Sequence, residues 1–141
     1  MYFHEEKMNL LDVPQGYMLA HCVSGDFALG AGVAKQIDEA FNMRESLRRI
    51  YGDELITGTG CYTAMNVYNL VTKTRFWHKP TLDSVHEALV DMKSYAEEDG
   101  VKKIAMPRIG CGLDKLDWEN VSQIIKEVFR DTDIEILVCY L

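Results

Sequence analysis

Met106-Pro107-Arg108-Ile109-Gly110-Cys111-Gly112-Leu113-Asp114 is the stretch whose reading decides the fold. It follows a short apolar strand pattern, Lys103 to Met106, and precedes an amphipathic helix pattern that begins near Asp117. A strand, a glycine loop and a helix in that order present backbone N–H groups to a phosphate. Glycine serves in such a loop because the chain must turn tightly and approach the ligand without a Cβ in the way. Upstream, Gly30-Ala31-Gly32-Val33-Ala34 repeats the arrangement after the apolar run Tyr17 to Val23. Two such loops suggest two walls of one anion site.

Working outward, Tyr2 to Leu11 reads as an opening edge strand, and Tyr17 to Val23 as a strand buried on both faces and broken by the turn residues Ser24-Gly25-Asp26. Helices are expected over 31–41 and 43–51, the second with Met43, Leu47 and Ile50 on one face and Gly52 as its stop. Cys61 to Met65 and Val67 to Thr72 form either a hairpin around Asn66 or one bent strand. A cationic and aromatic loop, Lys73 to Lys79, leads to Pro80-Thr81 and a helix with the stripe Leu82, Val85, Leu89, Met92 and Ala96. Asp117 is the expected N-cap of a helix carrying Val121, Ile124, Ile125, Val128 and Phe129, and Ile134 to Leu141 is the last strand. The alternation of strands and helices implies one α/β domain over 1–141, with a mainly parallel sheet covered by helices on both faces. Ligands of such sheets sit outside the carboxyl ends of the strands, where both glycine loops fall.

The totals agree. A chain of 141 residues fits one domain, and 48% apolar with 26% charged residues is ordinary for a globular protein. A net charge of −7 disfavours a long groove tracking a nucleic-acid backbone, but leaves room for a local phosphate site built on backbone donors. Cys22, Cys61, Cys111 and Cys139 form no C-x-x-C pair, which speaks against a zinc ribbon or a thioredoxin-type motif. Cys22 and Cys139 read as small core hydrophobes. No His/Cys/Asp cluster has metal-ligand spacing, so no metal and no cofactor are expected. No apolar run of about twenty residues is present, so no membrane association is expected. Free cysteines set the expectation of a cytoplasmic protein, and a monomer is expected.

Several residues can carry chemistry. Gly30-x-Gly32 resembles the start of a dinucleotide fingerprint, but position 35 is Lys rather than the third glycine, so a dehydrogenase is a poor reading. Lys73 and Asp114 each stand at the carboxyl end of an expected strand. Taken singly, one is a solvated lysine and the other a helix-capping acid; taken together, they are a nucleophile with a carboxylate partner. Ser24 reads as a turn serine or as a donor to a ribose hydroxyl. His21 reads as a hydrogen-bonded core histidine, with a catalytic base or ligand contact as the rival.

With these residues on the page, the chain resembles a macrodomain, the ADP-ribose-binding α/β/α module, and within it the terminal ADP-ribose protein glycohydrolases. The matching segments are Leu19 to Ser24, Gly30 to Ala34, Leu70 to Lys73, His78 to Thr81, Met106 to Asp114 and Trp118 to Ser122, in one order across nearly the whole chain. The resemblance implies a three-layer fold with a mixed, mainly parallel six-stranded sheet. It implies that Gly30, Ala31, Gly32 and Val33 wrap a diphosphate and distal ribose, and that Pro107, Ile109, Gly110, Cys111, Gly112 and Leu113 close over it. Asn9, Leu10, His21 and Ser24 would also touch the ligand, with Lys73 as nucleophile and Asp114 as catalytic acid. The implied partners are ADP-ribose and proteins ADP-ribosylated on Glu or Asp, with ADP-ribosylated single-stranded DNA as the alternative; a non-catalytic ADP-ribose reader is the third. One departure stands out. Where the family has Gly-Asp to read the adenine amino group, this chain has Met8-Asn9, with Asp12 nearby as a substitute. Tyr140 is a candidate to stack on adenine, and an edge-strand role is its equal rival.

Overall fold

The computed structural model describes all 141 residues. Six strands, β1 (Tyr2–Lys7), β2 (Met18–Ser24), β3 (Gly60–Ala64), β4 (Val67–Lys73), β5 (Lys103–Met106) and β6 (Glu135–Tyr140), form one sheet in the order β1-β6-β5-β2-β4-β3. Every neighbouring pair is parallel except β3 with β4. Four helices cover it: α1 (Gly32–Phe41), α2 (Met43–Tyr51), α3 (Leu82–Asp99) and α4 (Trp118–Phe129).

Side-chain alternation along the buried strands explains the layers. Ala20, Tyr68, Leu70, Ile104 and Ile136 point to one face and pack under α3 and α4 through Val85, Leu89, Ile125 and Phe129. Leu19, Val23, Val67, Val71 and Leu137 point the other way and meet Ile37 of α1 with Met43 and Leu47 of α2. The mixed three-layer α/β architecture is as expected.

Three local expectations change. β1 ends at Lys7 rather than Leu11, because Asn9 leaves the sheet to cap a 3₁₀ turn over Leu10–Asp12. On α2 Ile50 is 55% exposed, and the buried stripe runs through Met43, Ser46 and Leu47 instead. Ser46 can be buried because its hydroxyl donates to the Asn42 carbonyl at 3.0 Å. Between the two alternatives for 61–72, the chain takes the hairpin: Met65 and Asn66 have φ of 52° and 59°, the left-handed pair that a two-residue turn demands.

The free edge of β3 is closed by side chains. Cys61 N–H donates to Asp91 Oδ2 at 2.7 Å, and the Thr63 carbonyl accepts from the Tyr51 hydroxyl at 2.8 Å. These groups are no longer open to pairing with another strand.

The site is positioned by a divergence in the sheet. β2 and β5 pair only at Met18↔Ile104 and Leu19↔Ala105, then separate. From this line β4 and β3 build outward on one side, and β6 and β1 on the other. Such a switch in winding direction opens a crevice at the carboxyl ends of the strands.

Candidate functional site

A cleft of about 1120 Å³ occupies that crevice. Apart from Asp12, every residue read from the sequence as catalytic or ligand-contacting, from Asn9 and Leu10 through Gly30–Val33 to Lys73 and Pro107–Asp114, lines it. Its size slightly exceeds the usual range for a small-molecule site.

Lys73 and Asp114 meet within it. Lys73 Nζ lies 2.6 Å from Asp114 Oδ1, and both side chains are mostly shielded, at 14% and 17% exposure. Lys73 is the last residue of β4, and its placement depends on Gly25. A register shift between Val23 and Ser24 sets Ser24 opposite Lys73. Gly25 N–H then donates to the Lys73 carbonyl at 2.9 Å, and the Gly25 carbonyl accepts from Ile56 N–H at 3.1 Å. A Cβ on Gly25 would sit 1.9 Å from the Ile56 carbonyl oxygen, so only glycine allows this approach.

Asp114 is held by a compact loop. Gly110 has φ +73° and packs against Leu116, whose N–H donates back to the Gly110 carbonyl at 2.7 Å. Across the cleft stands the N-terminus of α1. Its N-cap, Ala31, offers no side-chain bond to the first turn, so those N–H groups face the cleft without a side-chain acceptor. Leu113 reaches over from the far wall to within 3.9 Å of where a Gly32 Cβ would be.

Ser24 is placed as expected but plays a different hydrogen-bonding role. Its hydroxyl donates to Asp26 Oδ1 at 2.5 Å, so it offers a ligand lone pairs rather than a proton. Asp26, which the sequence marked only as a strand breaker, ties three segments together. Oδ1 also accepts Ala28 N–H at 3.1 Å, and Oδ2 accepts Phe76 N–H at 2.9 Å. Burial pushes the Asp26 carboxyl upward, but the bonds from Ser24, Phe76 and Ala28 outweigh it and hold the group below the ordinary range.

At the adenine end expected from the resemblance, Asn9 lines the cleft, but its Oδ1 already accepts Leu11 N–H at 2.9 Å, leaving one lone pair and the amide hydrogens. Asp12 is exposed and outside the lining, so it does not replace an acid there. Tyr140 lines the cleft, but its ring carries the Arg108 guanidinium 4.3 Å from the centroid, and Glu5 Oε1 anchors that guanidinium at 3.2 Å. The Tyr140 ring thus carries a cation of this protein on one face.

His21 is the core histidine read from the sequence, at the cleft floor. Asn69 Nδ2 donates to the Tyr62 and Val67 carbonyls at 3.0 and 3.2 Å, which fixes Asn69 Oδ1 toward His21 Nε2 at 2.6 Å. Nε2 therefore carries the proton, and Nδ1 has no partner within the protein. Burial drives the imidazole pKa down to about 4, against the smaller opposing effect of Asn69. An unfolded histidine titrates near 6.5, so between pH 6.5 and 4 the unfolded chain binds a proton that the folded one refuses. Stability is expected to fall across that window by about 3 kcal/mol from this group alone. Urea unfolding of wild type and His21→Gln at pH 7 and pH 4.5 checks this: the wild type should lose more stability by that order.

The thiols are poor nucleophiles. Burial pushes Cys22 up to about 12, with Asp114 adding to the effect, and pushes Cys111 up to about 11. The cleft thus combines backbone donors at a helix start, two glycine walls and one lysine–carboxylate pair. That set fits a diphosphate with a reactive carbon beside Lys73.

Comparison with known proteins agrees with this architecture. A family model for the Macro domain matches residues 20–125. The chain is 42% identical over 136 residues to the ADP-ribose glycohydrolase OARD1 of Homo sapiens, spanning 94% of this chain and 87% of that protein. It is 28% identical over 131 residues to the DNA ADP-ribosyl glycohydrolase of Thermus aquaticus, spanning 86% of this chain and 36% of that protein. Among solved structures, the macrodomain of Thermus aquaticus DarG superposes with a TM-score of 0.79 at 28% identity, over 99% of this chain and 97% of that one.

Proposed function

The chain belongs to the Macro domain family, and we propose that it is an ADP-ribose glycohydrolase that frees Glu and Asp side chains of ADP-ribose, with Lys73 as nucleophile. The observation that carries this reading is the 2.6 Å contact between Lys73 and Asp114 in the cleft of about 1120 Å³. A protein that only binds ADP-ribose needs neither residue.

The diphosphate lies between Gly30–Val33 and Ile109–Leu113, on the open N–H groups of α1. This brings the distal ribose C1″ to Lys73. A lysine ammonium has no lone pair, so its proton must go first, and Asp114 is in contact to take it. Nζ attacks C1″, the C1″–O bond breaks, and its electron pair leaves on the carboxylate of the modified Glu or Asp. That carboxylate is a weak base and leaves without strong acid assistance. Asp114 passes its proton to solvent and then takes one from an incoming water. The water oxygen bonds C1″, the C1″–N bond breaks with its electrons on Nζ, and Asp114 returns the proton to Nζ. ADP-ribose leaves and the ion pair is restored.

A second substrate, ADP-ribose on bases of single-stranded DNA, is favoured by one observation. Phe76 and Trp77 are exposed at the cleft mouth, edge to face at 5.0 Å, with the Arg75 guanidinium 5.6 Å from the Trp77 ring. Aromatic faces with neighbouring cations hold unpaired bases. The test is ADP-ribose release from a Glu-modified peptide and from a modified single-stranded oligonucleotide. Wild type should act on the peptide. Trp77→Ala should leave that rate within about twofold and lower oligonucleotide turnover about tenfold, the loss of one base stack. Equal losses on both count against the DNA reading; binding of ADP-ribose without release from either substrate leaves only a reader.

A further inference from the structure

Lys73 has two tasks that cannot be done at once. Its ammonium is the sole hydrogen-bond partner of the Asp114 side chain, yet in the reaction proposed above its nitrogen leaves that carboxylate for C1″. The acid must stay in place through the second half of the reaction without its partner.

A second lysine, in the connection from β4 to α3, reaches the adjoining residue. Lys79 Nζ donates to the Leu113 carbonyl at 3.2 Å. The base of this contact is rigid. Pro80 follows and is buried, and Thr81 caps α3 through reciprocal bonds with Ser84 at 3.0 and 2.9 Å. The connection before Lys79 is pinned as well: Phe76 N–H donates to Asp26 Oδ2 at 2.9 Å and Arg75 N–H to His78 Nδ1 at 3.3 Å. On the opposite side, the turn bonds Leu116 to Gly110 and Lys115 to Gly112 close the loop around residues 113–114. They leave the Leu113 side chain 67% exposed. The body of the protein therefore holds Leu113-Asp114 by two hydrogen bonds, one from the lysine that ends β4 and one from the lysine in the connection to α3.

We propose that Lys79 is a positioning residue that keeps the Asp114 loop closed while Lys73 is bonded to ADP-ribose, so that Asp114 can activate the water that discharges the adduct. Lys79 does not touch the reacting atoms. The inference rests on the lysine-nucleophile reading, and it assigns the two lysines to different halves of one reaction.

The experiment is a rapid-quench single turnover of Glu-modified peptide by wild type, Lys79→Met and Lys79→Arg, following the protein plus one ADP-ribosyl group by intact mass. Peptide mapping locates the added group, and melting temperatures check the fold. Lys79→Met should form the adduct within about twofold of the wild-type rate and discharge it roughly tenfold to a hundredfold more slowly, the penalty of a misplaced catalytic group. Adduct then accumulates on Lys73, and Lys79→Arg restores discharge. Discharge at the wild-type rate in Lys79→Met, or a parallel fall in both steps, overturns the proposal alone. Absence of any adduct in both wild type and Lys79→Met removes the lysine nucleophile, and this proposal with it.

Discussion

Lys73→Ala is expected to slow ADP-ribose release by about a thousandfold or more while leaving ADP-ribose binding within several-fold of wild type. Two features separate the effects. The N–H groups of α1 and the glycine walls belong to the backbone, so truncating one side chain leaves the diphosphate contacts in place. The attacking atom is lost outright, and no neighbour replaces it. The thiols of Cys22 and Cys111 stay protonated, and His21 is buried beneath the cleft. The variant leaves Asp114 without its ion-pair partner, so a modest change in binding of either sign accompanies the loss of turnover. Calorimetric binding of ADP-ribose beside release from a Glu-modified peptide checks both halves. Retained release excludes lysine from the chemistry; lost binding shows that Lys73 serves mainly to hold the ligand.

Gly25→Ala should be the most damaging small substitution in the chain. The new methyl would have to sit 1.9 Å from the Ile56 carbonyl oxygen, and 3.1 Å from that of Thr74. Backbone atoms cannot swing aside as a side-chain tip can. Either the 56 loop or the end of β2 must move, breaking Gly25–Lys73 or Ile56–Gly25 hydrogen bonds. The expected loss is about 3 kcal/mol or more, in the class of severe backbone effects. Any folded fraction should turn over slowly, since the first of those bonds places Lys73. Thermal unfolding with a release assay tests this, and an unchanged melting temperature would contradict the close approach.

How much of this was legible in the sequence varied with the range of the interaction. Element order and layers followed from periodicity, because β2, β4, β5 and β6 are mostly buried and α3 and α4 present regular stripes. Lys73 and Asp114 were found singly from their places at strand ends, and their pairing across 41 residues followed from the shared cleft and the family resemblance. What stayed hidden depended on partners that no local pattern announces. Asp26 read as a turn residue because its partner Phe76 is 50 residues away. Gly25 read as a breaker because the carbonyl that forbids a Cβ belongs to Ile56. The Arg108 guanidinium over Tyr140 was not legible because Arg108 is itself held by Glu5 from the far end of the chain. Ile50 obeyed the helical period but faced solvent, since Ser46 could be buried once its hydroxyl found the Asn42 carbonyl.

The central claim is that Lys73 attacks the sugar carbon rather than that water attacks the ester carbonyl. The most direct measurement is turnover of a Glu-linked ADP-ribosyl peptide in ¹⁸O-water, followed by the mass of the released peptide. Cleavage at C1″–O leaves both carboxylate oxygens with the glutamate, so the freed peptide should carry no label. One ¹⁸O in that carboxylate would show attack at the acyl carbon and would contradict the account.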